Sequence, residues 1–514
     1  MPRYSYAPFP YQTPPELAGG TSSDAPVAIV GAGPIGLAAA IDLALHGIKT
    51  VVLDDNNVVS VGSRAICWAK RTLEIFDRLG IGDRMLAKGV TWKVGRLFHG
   101  DREVYSFDLL PEPAHKMPAF LNLQQYHVEQ YLVERCADFS DLIDLRWKNR
   151  VTGLRQDQDR VQLTVETPDG PYTVGAAYVL ACDGSKSAVR GMVGVDLVGD
   201  AFEEKFLIAD IEMDADFPNE RWFWFEPAFH KGQTALLHKQ PDNIYRIDLQ
   251  LGWDADPAVE RREDVVTPRI AAAVRGRPFT LDWVSVYSFR CARLERFIEN
   301  RVIFVGDSAH VVSPFGARGG NGGIQDVDNV CWKLASVLNG TAGPGLLASY
   351  NEERVHGSDE NIKHSTRASD FMSPPDDTTM LFRDAVLDLA QQHPFARRLI
   401  NSGRLSTPCS LDGKALQSPT DGLPLVAGAP CPDAPLADGW LLNRLGGDFA
   451  LLCVGTTAPA TALRTISVPA EGMLFDRYGQ GVYLVRPDQH IAAGWPNTPS
   501  AATITAALTR ATGH

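Results

Sequence analysis

One stretch, PVAIVGAGPIGLAAAIDLALHGIKTVVLDD at residues 26–55, restricts what this chain folds into more than its length does. The apolar run VAIV (27–30) predicts a short buried strand, GAGPIG follows at once, and the Leu- and Ala-rich 37–45 predicts a helix. A second strand over 50–53 ends on Asp54 and Asp55, about 20 residues beyond the glycines. Strand, tight turn, helix and strand in that order suit a dinucleotide. Gly31 permits the turn, Gly33 admits a pyrophosphate to the backbone, and Gly36 lets helix and strand approach closely. The helix that starts at Pro34 and Ile35 offers unpaired N–H groups and a partial positive charge to that pyrophosphate. Asp54 is spaced to take ribose hydroxyls. NAD and FAD share this fingerprint, so these residues leave the choice between them open.

A chain of 514 residues needs more than one core, and two or three domains are expected. Its 45% hydrophobic and 22% charged residues belong to a soluble globular protein, and no run of about 18 apolar residues predicts a membrane span. The first 25 residues are rich in proline and lack the basic-then-apolar order of a secretory signal, so they read as an extended arm on a cytoplasmic protein. A net charge of −13 without a basic cluster argues against a nucleic-acid partner. The eight cysteines are scattered with no C-x-x-C pair, so neither a metal site nor a redox dithiol is expected.

Two distant segments repeat the device of a strand ending on an acid. YVLACDGSKSAVR (178–190) is an apolar strand closing on Asp183-Gly184, then a polar turn into Arg190. RVIFVGDSAHVVSPFGARGGNGGIQDVDNVCWKLASVLNG (301–340) is an apolar strand, Gly306-Asp307, a glycine-rich loop and a long helix. Carboxylates at such strand ends accept hydrogen bonds from sugar hydroxyls, and loop N–H groups face phosphate or a flavin edge. Ser308 and His310 follow Asp307, but no G-x-S-x-G elbow accompanies them, which excludes a serine hydrolase.

Together the three motifs resemble the flavoprotein aromatic hydroxylases, the class A monooxygenases built like para-hydroxybenzoate hydroxylase and phenol hydroxylase, over roughly residues 26–385. The resemblance implies an α/β fold: a Rossmann-like FAD-binding domain (26–199 and 291–394, with an excursion near 90–118) and an interleaved mixed β-sheet substrate domain (200–290). A linker and a C-terminal thioredoxin-like domain (395–514) would complete it. It implies that Gly31, Gly33, Pro34, Ile35, Gly36, Asp54 and Asp55 hold the ADP half of FAD. Asp183, Gly184 and Arg190 match a motif implicated in FAD and NAD(P)H binding, and Gly306 and Asp307 match one that holds the ribityl chain. Arg64, in GSRAICWAKRTLEIFDRLG, matches an arginine that reaches the pyrophosphate. Gln125, in LNLQQYHVEQYL with Glu129 four residues on, matches a glutamine that contacts FAD. Pro314, Gly319, Gly320, Asn321 and Gly322 match the family loop, whereas Ala317 and Arg318 replace its usual Gly-Gln. The Arg318 cation either favours an anionic substrate or reduced flavin, or pairs with a carboxylate; the family histidine at His310 serves loop structure.

Between the motifs, ERWFWFEP alternates Trp222 and Trp224 against Phe223 and Phe225, and TALLHKQPDNIYRIDLQLG reads as a hairpin turning at Pro241-Asp242-Asn243. His238, Gln240, Tyr245 and Arg246 are its polar candidates; His238 and Tyr245 join Pro314 and Arg318 as candidate catalytic residues. Beyond about 395 a Pro-, Gly- and Asp-rich stretch reads as a linker, and 449–455 and 481–495 read as buried strands with a turn at Pro487-Asp488. By resemblance, NAD(P)H reduces FAD, O2 adds to give a C4a-hydroperoxide, and one oxygen passes to a small phenolic or N-heteroaromatic substrate. A single G-x-G-x-x-G implies that NAD(P)H binds transiently; the sequence leaves the oligomeric state open, with a homodimer allowed by the resemblance because family members are often dimers. The rival readings are an epoxidase or tailoring oxygenase on a larger substrate, a flavin reductase that does not oxygenate, and a flavin-binding sensor.

Overall fold

Asp24–Val30 lies at the centre of a parallel sheet, and its inner residues Val27 to Ile29 are wholly buried, as a strand covered on both faces requires. It pairs in parallel with Thr50–Asp54 on one side and with the second half of Gly170–Ala181 on the other. Ile143–Trp147 and Val302–Phe304 extend the two edges in the same direction. Val30, Leu53, Ala181 and Phe304 are therefore neighbours along one rim, the carboxyl end of the sheet, where open α/β sheets bind ligands. The computed structural model describes residues 4–19, 24–252, 254–314, 316–374, 376–400, 407–420 and 422–514, side chains of 200–204 excepted. Parts of the N-terminal arm (1–3, 20–23) and of the linker (401–406, 421) lie outside the described residues.

The helix Pro34–Leu45 is buried from Gly36 to Ala44 because its alanines and leucines are apolar all round, and it packs against the helix Gly319–Leu338. A second sheet of eight strands runs in the order His310–Val311, Thr280–Arg293, Val198–Glu212, Ile244–Leu251, Thr234–Lys239, Glu220–Phe225, Val94–His99 and Arg102–Asp108. Its last two strands come from the 90–118 excursion, and Val94–His99 enters by a parallel pairing with Glu220–Phe225. Asp242 and Asn243 have φ of 63° and 57°, the left-handed pair that a two-residue hairpin turn requires. Within the N-terminal arm, Phe9 stacks on Trp147 with ring centroids 4.6 Å apart.

The C-terminal sheet is mixed: Ala450–Val454 pairs in parallel with Arg464–Val468 and antiparallel with Gly481–Val485, which pairs antiparallel with Ile491–Trp495. The helices Gly472–Tyr478 and Ala501–Ala511 pack on it, completing a thioredoxin-like layout. Among the described residues no helix is long and apolar enough to cross a membrane.

Candidate functional site

A cavity of about 1190 Å³ separates the rim of the parallel sheet from one face of the second sheet. Ordinary ligand pockets run to roughly 300–1,000 Å³, so this one has room for a large cofactor and a second molecule. At its first end, Gly31 has φ +104°, and a Cβ there would meet the Cys182 carbonyl oxygen at 2.5 Å. A Cβ on Gly36 would stand 1.9 Å from the Gly31 oxygen, so only glycine lets the helix begin against the strand. Gly33 differs: nothing lies within 4 Å of its missing Cβ, and it lines the cavity with Pro34 and Ile35. Asp54 accepts from the Ala32 N–H at 2.6 Å and from the Asn56 N–H at 2.8 Å, tying the strand end to the glycine loop, with Asp55 beside it. Burial raises the Asp54 carboxyl above its usual range.

The other two strand ends meet next to this loop. Asp183 Oδ2 accepts from the Val189 N–H at 3.0 Å, while its Oδ1 is buried without a hydrogen-bond partner. Arg190 joins the two turns, donating to Ser308 O at 3.0 Å, to Gly184 O at 3.4 Å and to Ser185 O. Asp307 is exposed to the cavity, and desolvation by the protein that surrounds the cavity raises its carboxyl despite the nearby His310 and Arg64. Gln125 Oε1 accepts from the Ala65 N–H at 3.1 Å and its Nε2 donates to Ser60 Oγ and Glu129 Oε1, at 3.0 and 2.8 Å. Glu129 in turn accepts from the Ser60 N–H and Oγ–H at 2.5 and 2.6 Å. This clamp fixes the loop that carries Arg64, whose guanidinium sits 6.0 Å from the Tyr287 ring centre.

Asn321 accepts from the Ala69 N–H at 2.9 Å and donates to Cys67 O at 2.9 Å and Ala317 O at 2.5 Å, joining the start of Gly319–Leu338 to the strand Cys67–Ala69. Gly319, Gly320, Pro314 and Arg318 line the cavity with it, and Arg318 Nη1 donates to Asn361 Oδ1 at 3.2 Å. Gly36, Gly306 and Gly322 lie behind this surface: Gly306, at φ +67°, is packed against Ile35, and Gly322 against His310 and Asn361. His310 bonds Asp326 at 2.6 Å, beside Arg354 on the same carboxylate at 2.6 Å. Asp326 also accepts from the Gly306 N–H at 3.0 Å, so His310 braces the turn and faces no substrate.

The second sheet supplies the opposite wall. The register sets Arg221 against His238, His238 against Arg246, and Arg246 against Asp210, a polar row across four strands. Tyr245 is one residue out of phase, so strand alternation turns it to the other face. There its hydroxyl donates to Ala215 O at 2.6 Å, which corrects the expectation that Tyr245 takes part in catalysis. Arg246 grips Asp210 with two bonds of 2.8 Å and donates to Arg64 O at 3.3 Å and to Ser63 O, while Gln240 donates to Asp210 at 3.1 Å. His238 Nε2 lies 3.7 Å from Asp248 Oδ2; burial, then Arg221 and Arg246, hold the imidazole neutral, well below its usual pKa. Burial pushes the Asp248 carboxyl up to about 6. Sequence reading missed Arg221, Asp248 and Asp210; the signal for Asp248 was its i, i+2 spacing from Arg246 and for Asp210 that to Glu212, whereas Arg221 has Phe223 two residues on and carries no such signal.

This donor set fits an FAD: open space at Gly33 beside a helix N-terminus, an unsatisfied buried oxygen on Asp183, a cation on Arg64 and a cavity large enough. Residues 24–365 match the family described as FAD binding domain. The chain is 30% identical over 505 residues to the 12-dehydrotetracycline 5-monooxygenase/anhydrotetracycline 6-monooxygenase of Streptomyces rimosus subsp. rimosus, covering 93% of this chain and 96% of that protein. It is 28% identical over 441 residues to a 3-(3-hydroxy-phenyl)propionate/3-hydroxycinnamic acid hydroxylase of Mycolicibacterium smegmatis, covering 83% and 76% of the two chains. In fold it is similar to the flavin-dependent monooxygenase PieE, solved with FAD and substrate, with a TM-score of 0.80 at 22% identity over 95% of this chain and 99% of that one. The protein is accordingly a member of the FAD binding domain family, among its class A flavoprotein monooxygenases.

Proposed function

We propose that the protein hydroxylates a phenolic or N-heteroaromatic ring, using NAD(P)H and O2 with FAD bound in the large cavity. The observation that carries this reading is that one cavity runs from Gly33 and Asp183 to the face of the second sheet holding His238 and Arg246. Gly33, Asp54, Asp183, Arg64 and Asp307 would hold the dinucleotide, and Gly319, Gly320 and Asn321 would flank its ring system. Bound there, FAD supplies the acceptance of hydride and the activation of O2 that no side chain provides. The chain supplies position and dryness: Phe206, Ile208, Leu236, Phe289 and Pro314 form an apolar wall that keeps water from the ring. Neutral His238, with Asp248 beyond it, would accept a hydrogen bond from a phenolic hydroxyl and polarise it, since the same burial and cations that keep the imidazole neutral oppose its full protonation.

The cavity volume favours a second form of the same chemistry, tailoring of a larger polycyclic substrate, as the activity of the tetracycline relative illustrates. One experiment tests both. Protein reconstituted with FAD is given NADH or NADPH under air with single-ring phenols and with polycyclic phenols, and hydroxylated product is quantified against nicotinamide consumed. Product from either class supports the reading. Nicotinamide oxidation that yields only H2O2 with every compound, or failure to bind FAD, overturns it.

A further inference from the structure

Arg221 helps to keep His238 neutral but is bonded to no group of its own among the described residues. Its side chain is 9% exposed, its Nε is buried without a partner, and among the described residues no hydrogen bond or ion pair reaches the guanidinium. The ionisable groups that act on it, Cys67 and Asp248, form no ion pair with it. Arginine stays charged at any physiological pH, and a buried cation without a counter-ion is strongly unfavourable. The other buried arginine of the row, Arg246, has Asp210. Arg221 faces the main cavity with His238 and also forms part of the wall of a second pocket of about 120 Å³. That pocket lies between the second sheet and the helix Leu346–Met372, with Leu97, Phe107, Phe223, Phe371 and Met372 among its lining; Arg96, Arg318, His364 and Arg367 also reach it, Arg96 paired with Glu103 and Glu220 and Arg318 bonded to Asn361.

We propose that Arg221 selects the substrate: the reacting molecule carries an anionic oxygen that pairs with this guanidinium, and beside that oxygen an apolar arm that enters the second pocket. The aromatic ring stays in the main cavity against His238. This deepens the monooxygenase reading and rests on it, but binding tests it without turnover. The charge supplies discrimination, because a neutral analogue leaves the cation as it stands in the free protein, whereas an anion relieves it. The apolar side chains of the second pocket supply affinity for the arm.

The test uses FAD-loaded protein without nicotinamide, titrated calorimetrically with benzoate, 2-butylbenzoate and methyl 2-butylbenzoate, whose butyl group lies beside the carboxyl carbon. The expected result is that 2-butylbenzoate binds at least tenfold more tightly than either benzoate or the ester. In R221Q the preference for acid over ester falls to near unity, and in A368F, which fills the second pocket, the gain from the butyl group disappears. R221M removes the unpaired charge but keeps the length; it is expected to retain FAD and to melt at or above the wild-type temperature, an outcome that a structural role for Arg221 would reverse. Equal or undetectable binding of acid and ester, a preference that survives in R221Q, no gain from the butyl group, or an R221M protein that melts lower each overturns the proposal. Intact acid selectivity without hydroxylation would count against the monooxygenase reading and not against Arg221.

Discussion

Two glycines three residues apart have opposite work, and substitution separates them. A methyl on Gly36 collides with backbone 1.9 Å away, so G36A must displace the helix start and is expected to destabilise the FAD-free protein by about 1–3 kcal/mol or more and to lose FAD. A methyl on Gly33 enters open cavity, so G33A should leave the melting temperature of the FAD-free protein nearly unchanged while weakening FAD binding at least tenfold. Thermal melts paired with flavin titrations check both; similar melting for the two variants would refute the distinction. Asp248 allows a pH test. The folded protein holds its proton up to about 6, against about 3.9 for an exposed aspartate, so the folded state binds more protons than the unfolded chain between those values. Its favourable contribution is complete below about pH 4 and is lost as pH rises through 6, an effect on the order of 2–3 kcal/mol. D248N stays neutral throughout and is expected to be more stable than wild type by on the order of 2 kcal/mol at pH 7.5, with the advantage vanishing at pH 4. Urea denaturation at the two pH values decides it.

Among the described residues the helix Gly319–Leu338 and the strand Cys67–Ala69 are hydrogen-bonded through one side chain, Asn321, which makes three hydrogen bonds to backbone groups, beside the packing of Trp68 on Gly320. N321A strands the buried Ala69 N–H and the Cys67 carbonyl, at a cost of about 2–3 kcal/mol, and loosens a helix start that lines the cavity. Chemical denaturation should show that loss, and FAD affinity should fall with it. N321D keeps the Ala69 bond and is expected to lie between the two. The resemblance marked Asn321 as a cofactor residue, and its own bonds make it a strut for the loop. The glycine motif was legible because each of its residues does a local job within a dozen positions of the others. The hairpin at Asp242-Asn243 was legible for the same reason. The polar row Arg221–His238–Arg246–Asp210 was not, because it exists only once four strands adopt one register, and a slip of one residue would have put Tyr245 at the cavity and His238 behind it.

The C-terminal unit read from the sequence as a linker and a few strands with a turn at Pro487-Asp488, yet that turn is driven into the FAD-binding domain as a cluster of buried charges. Arg486 donates to both oxygens of Glu353 at 2.7 and 2.8 Å and to Asp488 at 3.0 and 2.6 Å. Lys333 reaches Glu353 at 2.7 Å, and Arg71 reaches Asp328, Gln489 Oε1 and Asp488 O at 2.8 Å each. Partners 133 and 418 positions apart carry no periodicity that a reading of the chain detects. Because the cluster spans both units, they are expected to unfold in one transition, and Glu353 at its centre is where to break it. Burial opposes its charge, but Arg486 and then Lys333 hold the carboxyl well below the usual range. A carboxyl depressed on folding contributes stability above its unfolded pKa of about 4.3, and that contribution is lost as pH falls below it. E353Q leaves the buried Arg486 and Lys333 without their shared carboxylate and is expected to cost about 3–5 kcal/mol at pH 7, with the gap to wild type narrowing at pH 3.5. Guanidinium denaturation followed by tryptophan emission and far-UV circular dichroism measures both. Two separate transitions in the wild type, or an E353Q deficit that does not change with pH, would show that the C-terminal unit is merely attached and that Glu353 does not hold the two parts together.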